Sequence, residues 1–65
     1  MYVIEIRRIA ESDYGLIGQK GKTLQFDTED LAKEFGKTSI EGSRFIASWE
    51  AITVSTAKTK GYEII

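Results

Sequence analysis

The chain has 65 residues, with nine Lys and Arg against ten Asp and Glu, and a formal net charge of −1. Because it has no Cys and no His, disulfides, Cys/His zinc sites, histidine acid–base catalysis and cysteine nucleophiles are excluded. A domain of this size buries only about 60% of the surface that its unfolded chain exposes. Self-association is therefore the expected supplement to its stability.

Localisation and domain organisation follow from what the sequence omits. It has no apolar run long enough to span a membrane, and its start, MYVIEIRR, lacks the apolar segment of a secretory signal. We therefore expect a cytoplasmic protein. With no proline, linker, repeat or low-complexity segment, residues 1–65 are expected to form a single compact domain.

The first predicted element is a strand over residues 2–9, YVIEIRRI, in which apolar and polar residues alternate. Tyr2, Ile4 and Ile6 would point to one face, and the polar face would carry Glu5 and Arg7. The pattern predicts a strand that is buried on one face only.

A β-hairpin is predicted next, after the turn-favouring residues 10–15, AESDYG. A two-residue Lys20-Gly21 turn would place Gln19 opposite Lys22. The same register gathers apolar residues on one face, in the pairs Ile17 with Leu24 and Gly15 with Phe26. Lys20 suits poorly the positive φ of a type I′ turn, so a longer loop from Gly18 to Gly21 is the alternative.

Residues 27–36, DTEDLAKEFG, predict a short helix. Asp27 or Thr28 can cap its N-terminus, and Gly36 can end it. The apolar stripe consists of Leu31, Ala32 and Phe35. Four acidic side chains offer oxygen ligands for Mg²⁺ or Ca²⁺, namely Asp27, Glu29, Asp30 and Glu34. Acidic residues are ordinary in a first helical turn, where the helix dipole favours them, so no metal site is assigned.

A second helix is predicted over residues 43–58, SRFIASWEAITVSTAK, which contain no Gly, Pro, Asn or Asp. Its helical period is set by Phe45, Trp49, Ile52 and Thr56. The alternative is a strand over residues 52–56, whose β-branched side chains favour that state. Residues 62–65, YEII, would follow Gly61 as a closing strand. The predicted fold class is α+β, in the order β-β-β-α-α-β: a three-stranded antiparallel meander, two helices and a short C-terminal strand.

The stretch GLIGQKGKT, residues 15–23, is open to a phosphate-loop interpretation. Gly21, Lys22 and Thr23 match the end of that motif, but its first glycine falls on Leu16. The chain is also too short for the parallel sheet of a nucleotide-hydrolysing domain. The phosphate-loop interpretation is therefore disfavoured.

The overlapping stretch LIGQKGKTL, residues 16–24, resembles the G-x-x-G loop of the KH family. In that family the loop joins two helices and clamps the backbone of a single-stranded nucleic acid. The resemblance implies that Gly18 and Gly21 allow close approach and that Lys20 and Lys22 contact phosphate. It also implies a groove lined by Ile17 and Leu24.

The remaining evidence favours a binding protein over an enzyme. The sequence shows no catalytic triad, paired-acid spacing or cofactor motif, so we expect no catalytic residues and no cofactor. The predicted binding residues are Arg7, Gly18, Lys20, Gly21, Lys22 and Trp49. Trp49 is open to two interpretations, a core residue or an interface hot spot.

In general look the chain is similar to small accessory proteins of phages and mobile elements, many of which inhibit a host or defence enzyme by direct contact. This resemblance implies a small protein-binding module with an unidentified protein partner. Nucleic-acid binding through the Gly18–Gly21 loop is the alternative. A homodimer is also expected, through the edge of the strand of residues 2–9 or through the helical stripe of Phe45, Ile46 and Trp49.

Overall fold

A computed structural model describes residues 1–10 and 13–65. The elements in this part of the chain are β1 (Tyr2–Arg8), β2 (Tyr14–Leu16), β3 (Gly18–Gln19), β4 (Lys22–Thr23), α1 (Glu29–Phe35), a π-helical turn (Gly36–Ile40), β5 (Ile46–Thr53) and α2 (Val54–Thr59). The predicted α+β class is confirmed. The predicted order holds as far as sheet strands, then a helix, then a strand toward the C-terminus.

The main sheet has three antiparallel strands in the order β2-β1-β5, and β3 and β4 form a separate two-stranded sheet. β1 is the central strand, with Ile6 lying between Gly15 of β2 and Trp49 of β5. A bulge shifts the register of β5, because Arg7 pairs with Ser48 whereas Arg8 pairs with Ile46. The strand predicted first in the chain is thus confirmed, but both of its edges are occupied.

β1 is buried on both faces, which corrects the prediction of a half-buried strand. One face packs under α1 and the π-helical turn, in a cluster of Ile4, Ile6, Ala32 and Ile40. The opposite face packs under α2, in a cluster of Val3, Ile52 and Ala57. Glu5 lies on this second face and is only 8% exposed. Arg7 is exposed, as predicted.

The hairpin turn and its register are confirmed. Gln19 pairs with Lys22, and Leu24 donates a backbone hydrogen bond to Ile17. Lys20 and Gly21 have φ values of 55° and 80°, so the two-residue turn is adopted with both central residues in the left-handed region. The longer-loop alternative is not adopted.

The far end of the predicted hairpin is wrong. Gly15 pairs with Ile6 in the main sheet, and Phe26 bridges to Tyr2. The strand predicted to run through residue 17 is therefore divided into β2 and β3, and the three-stranded meander becomes two sheets. The predicted chain reversal over residues 10–15 includes residues 11 and 12, which lie outside the described residues.

The first helix is confirmed, with Thr28 as its N-cap. The Thr28 hydroxyl accepts a hydrogen bond from the Leu31 amide at 3.2 Å. In the predicted stripe Ala32 is buried and Phe35 is half-buried, but the Leu31 side chain is exposed.

The α-helix ends at Phe35 with Gly36 as its C-cap, as predicted, but this glycine does not reverse the chain. Its backbone is right-handed, with φ −58°, and the chain continues into the π-helical turn. A Cβ atom at Gly36 would lie 2.3 Å from the Trp49 ring. This glycine therefore serves close packing against an aromatic ring, since any larger residue would overlap it.

The predicted second helix is wrong over most of its length. Residues 46–53 are β5, which pairs with β1 along almost its whole length. The helix α2 begins at Val54 because the Thr53 hydroxyl accepts the Thr56 amide at 3.0 Å and caps it. The alternative strand over residues 52–56 holds only for Ile52 and Thr53, which end β5, because Val54 begins α2. Residues 62–65 form no strand, although Thr23 donates a backbone hydrogen bond to Ile65 at 3.0 Å.

Candidate binding surfaces

The structure brings four of the six predicted binding residues together at the β3–β4 hairpin. These four, Gly18, Lys20, Gly21 and Lys22, line a groove of about 340 Å³. Its other wall is the C-terminal segment, residues 62–65, of which Tyr62, Glu63 and Ile65 contribute. We call this feature the hairpin groove.

Two hydrogen bonds join β4 to the C-terminal segment at the hairpin groove. The Thr23 amide donates to the Ile65 carbonyl at 3.0 Å, and the Ile65 amide donates to the Thr23 hydroxyl at 3.3 Å. A Cβ atom at Gly18 would lie 2.8 Å from the Lys22 carbonyl oxygen. Glycine is therefore required there so that the two strands can approach each other.

Lys20 and Lys22 give the hairpin groove exposed positive charge, and Glu63 gives the opposite wall a negative one. The Gly18–Gly21 loop joins two strands, whereas the KH resemblance implies a loop between two helices. Lys22 and Thr23 likewise lie in a strand and do not begin a helix, as a phosphate loop would require.

Arg7 and Trp49 lie away from the hairpin groove. Arg7 is exposed at the other end of β1, and its neighbour Arg8 pairs with Asp13 at 3.4 Å. Trp49 is half-buried against the α1 cluster and contacts Gly36. The six predicted residues therefore do not form one site, and a role of Arg7 or Trp49 in binding stays a prediction.

A polar cluster that the sequence pattern does not predict surrounds Glu5. Lys60 donates to Glu5 Oε1 at 2.9 Å, and the Tyr62 hydroxyl donates to Glu5 Oε2 at 2.5 Å. The only signal in the sequence was a glutamate between two apolar residues of the strand, Ile4 and Ile6. Its partners lie 55 and 57 residues further along the chain, so no local pattern pairs them.

The electrostatics of this cluster keep Glu5 ionised. Burial acts to raise the pKa of the Glu5 carboxyl, but the hydrogen bonds from Tyr62 and Lys60 outweigh it and hold the pKa below the usual value of 4.5. The hydrogen bond to Glu5 raises the pKa of Lys60. Burial and the same carboxylate raise the pKa of Tyr62 to about 12. Because both carboxylate oxygens are engaged, Glu5 fastens β1 to the C-terminal segment and is poorly placed to act as a base.

A second feature, which the sequence did not predict as one surface, is an exposed apolar surface at the opposite end of β1 from the hairpin groove. Ile9 is 54% exposed and Phe45 is 77% exposed, and the Ile9 amide donates to the Phe45 carbonyl at 3.0 Å. We call this pair the Phe45 patch. The helical period predicts Phe45 in a helical stripe, but the residue lies in a turn before β5.

Local hydrogen bonds fix the backbone that presents Phe45. The Phe45 amide donates to the Ser43 hydroxyl at 3.2 Å, and the Ser43 amide donates to the Ile40 carbonyl at 3.0 Å. An open cavity of about 370 Å³ begins at the next residue, lined by residues 40–42 and 46–49, including Ile40, Ile46 and Trp49. The exposed aromatic side chain thus stands beside a partly apolar cavity.

Two further observations bear on the kind of protein. In residues 1–10 and 13–65, no group of three or more acidic side chains is placed to hold a metal ion. No helix in the same ranges combines the length and the apolar character needed to cross a membrane.

Comparisons with protein-family models, with curated proteins and with solved structures each found no match to this chain.

Proposed function

We propose that this chain is a non-enzymatic binding module that acts by protein–protein contact through the Phe45 patch. The observation that carries the proposal is a phenylalanine side chain that is 77% exposed on a backbone whose amide and carbonyl groups are both hydrogen-bonded. A partner enzyme of a host cell is the class that the resemblance to phage accessory proteins implies.

Binding energetics favour such an arrangement. Aromatic side chains dominate interface hot spots because they bury a large apolar area. A turn that is already fixed loses little conformational freedom on binding, so less of the contact free energy is spent on ordering. The neighbouring cavity would let a partner side chain enter beside Ile46 and Trp49.

The test compares Phe45→Asp with Leu31→Asp as a matched control. Leu31 is also an exposed apolar residue but lies on α1. Proteins captured by the immobilised wild-type chain from its native cells are identified by mass spectrometry, and their affinities for purified variants are measured by calorimetry. We expect Phe45→Asp to lower the affinity for a captured partner by at least about 30-fold, as loss of a hot spot does. Leu31→Asp should leave the affinity for the same partner unchanged. Equal affinity for both variants, with folding intact by circular dichroism, would contradict the proposal.

The second candidate function is single-stranded nucleic-acid binding at the hairpin groove, supported by the exposed Lys20 and Lys22 beside two glycines. Charge reversal in Lys20→Glu/Lys22→Glu should weaken binding of a single-stranded oligonucleotide and reduce its salt dependence. Lys37→Glu/Lys58→Glu is the control, because these lysines are exposed elsewhere. No binding of RNA or DNA at low salt would exclude this function.

A further inference from the structure

The outer edge of β5 carries backbone groups that point away from the sheet. Val54 donates to the Met1 carbonyl at 3.0 Å. Tyr2, by contrast, exchanges its backbone hydrogen bonds with Phe26 on the other side of β1. In an antiparallel ladder the bonded positions alternate, so Ile52 directs its backbone amide and carbonyl toward β1. Its two neighbours, and every second residue beyond them, direct these groups outward, and the outward-facing residues are Trp49, Ala51 and Thr53.

No backbone hydrogen bond among the described residues reaches the amide or carbonyl of Trp49 or Ala51 from outside β1 and β5. After β5, the chain does not cover this edge, since α2 packs Ala57 over Val3 and Ile52. The following segment continues across β1 to reach Glu5. Both layers thus lie over the faces of the sheet, and the edge of β5 is left open.

The sequence of β5 has few of the features that keep an open strand edge from pairing with another strand. The usual features are proline, lysine, short length and bulges. β5 has eight residues, no proline and no lysine, and Glu50 is its only charged residue. Its bulge lies at the N-terminal end, near Ala47, so the part from Trp49 onward is regular.

We propose that two copies of this chain pair antiparallel through β5, around a two-fold axis at Ala51, so that their two sheets join into one. This surface is separate from the Phe45 patch. It also replaces the dimer surfaces expected from the sequence: both edges of β1 are paired, and the helical stripe does not exist.

Hydrogen-bond parity and charge select this register. Outward-facing residues must pair with outward-facing residues, and any two-fold axis that lies on a residue meets this condition. Only an axis at Ala51 pairs all three outward-facing residues, Trp49, Ala51 and Thr53, within β5. An axis at Glu50 sets two carboxylates directly opposite each other, which is unfavourable. An axis at Ala51 sets two small side chains together, with Glu50 opposite Ile52 and Trp49 opposite Thr53 of the second copy.

We assign the edge of β5 to a second copy of the chain because the strand is complementary to itself in this register. A domain of this size also buries a smaller fraction of its surface than larger domains do, and a dimer adds to that burial. A closed two-fold dimer also leaves no strand edge of β5 free for further growth. A peptide strand from another protein is the competing occupant, and it would leave the isolated chain monomeric.

Cysteine crosslinking tests the register, since the chain has no cysteine of its own. The Cα atoms of facing residues in a hydrogen-bonded pair lie about 5.5 Å apart, which is within the Cα–Cα range that a disulfide spans. Ala51→Cys should therefore form a covalent dimer on mild oxidation. Ser48→Cys is the matched control and should not, because Ser48 lies opposite Val54 of the second copy. Crosslinking of Glu50→Cys in preference to Ala51→Cys would overturn the register.

Sedimentation of the unmodified chain tests the dimer itself. We expect dimer mass at about 100 μM and a melting temperature that falls on dilution. Ala51→Pro removes an outward amide and spares the bonds to β1, so it should sediment as a folded monomer. If that variant does not fold, the wild-type mass and the crosslinks still decide. Monomer mass of the wild type at every concentration, with no Ala51→Cys crosslink, would overturn the proposal.

Discussion

Glu5 joins the centre of the sheet to the end of the chain through two hydrogen bonds, from Lys60 and Tyr62. A carboxylate that is buried without partners costs several kcal/mol of solvation free energy. Hydrogen bonds to a charged group contribute about 1.5–3 kcal/mol, enough to offset that cost. The cluster therefore stabilises the fold only while Glu5 is ionised.

Glu5→Gln should lower the free energy of unfolding at pH 7 by about 2 kcal/mol, because the amide loses the charge that Lys60 and Tyr62 recognise. The pKa of Glu5 is lowered in the folded state. Its stabilisation is therefore complete above the unfolded value of 4.5 and is lost as pH falls through the folded pKa. Urea unfolding at pH 7 and at about pH 3 should show the gap between wild type and variant shrinking in acid. Glu41→Gln, at an exposed position, is the control. A gap of equal size at both pH values would contradict this account of Glu5.

A substitution at Gly36 tests its close contact with the Trp49 ring. Gly36→Ala should lower the free energy of unfolding by about 2 kcal/mol or more, because the new methyl group would overlap a packed ring. Gly15→Ala is the control, since its methyl group would meet only the flexible end of Arg8, at 3.2 Å. Equal stability of the two variants in urea would show that the ring moves aside freely.

At the scale of elements, local hydrogen bonds set where the helices begin, whereas pairing sets where the strands lie. Thr28 and Thr53 each cap a helix with a hydroxyl oxygen. β5 has a sequence that also fits a helical period, yet its pairing with β1 prevails. The β3–β4 hairpin differs from β5 because a two-residue turn alone fixes its register.

The hairpin turn predicts a stabilising substitution. Lys20 has φ 55°, a conformation that asparagine adopts at lower cost than lysine. Lys20→Asn should therefore raise the free energy of unfolding by about 0.5 kcal/mol. Lys22→Asn removes the same charge from a strand position and should not stabilise. Thermal unfolding of the two variants separates the effect of backbone conformation from that of charge, and equal shifts would show that conformation plays no part.

At the scale of the whole molecule, both hydrophobic clusters rest on opposite faces of one strand. Val3 belongs to the cluster under α2, and Ile4 belongs to the cluster under α1. Loss of packing on either face weakens the strand that supports the other. We therefore expect the two layers to unfold together in one transition.

Val3→Ala should test this coupling. Removing two methyl groups from a fully buried position should lower the free energy of unfolding by about 2 kcal/mol. The fluorescence of Trp49, on the opposite face of the sheet, should report the same shifted midpoint as far-UV circular dichroism. Leu31→Ala, at an exposed position, should move neither signal. Separate midpoints for the two signals would mean that the layers unfold independently.

Local sequence patterns predict the features that depend on neighbouring residues. The first strand follows from alternation, the first helix from its cap and acidic first turn, and the hairpin register from its turn residues. In the helix and the hairpin, the deciding hydrogen bonds join residues that are close in sequence, so a local pattern contains the needed information. Four of the predicted binding residues were brought together for the same reason, because they all belong to that hairpin.

Other features depend on contacts between residues that are distant in the sequence. Residues 46–53 fit a helix by period, and pairing with β1 makes them a strand. The sequence pattern predicts Glu5 on a solvent-exposed face, but α2 and Tyr62 cover that face in the folded chain. The exposure of Phe45 and the open edge of β5 likewise follow from which strand lies next to which. Long-range contacts of this kind overrule local preference because burying a shared apolar surface contributes more free energy than the propensity of any one segment.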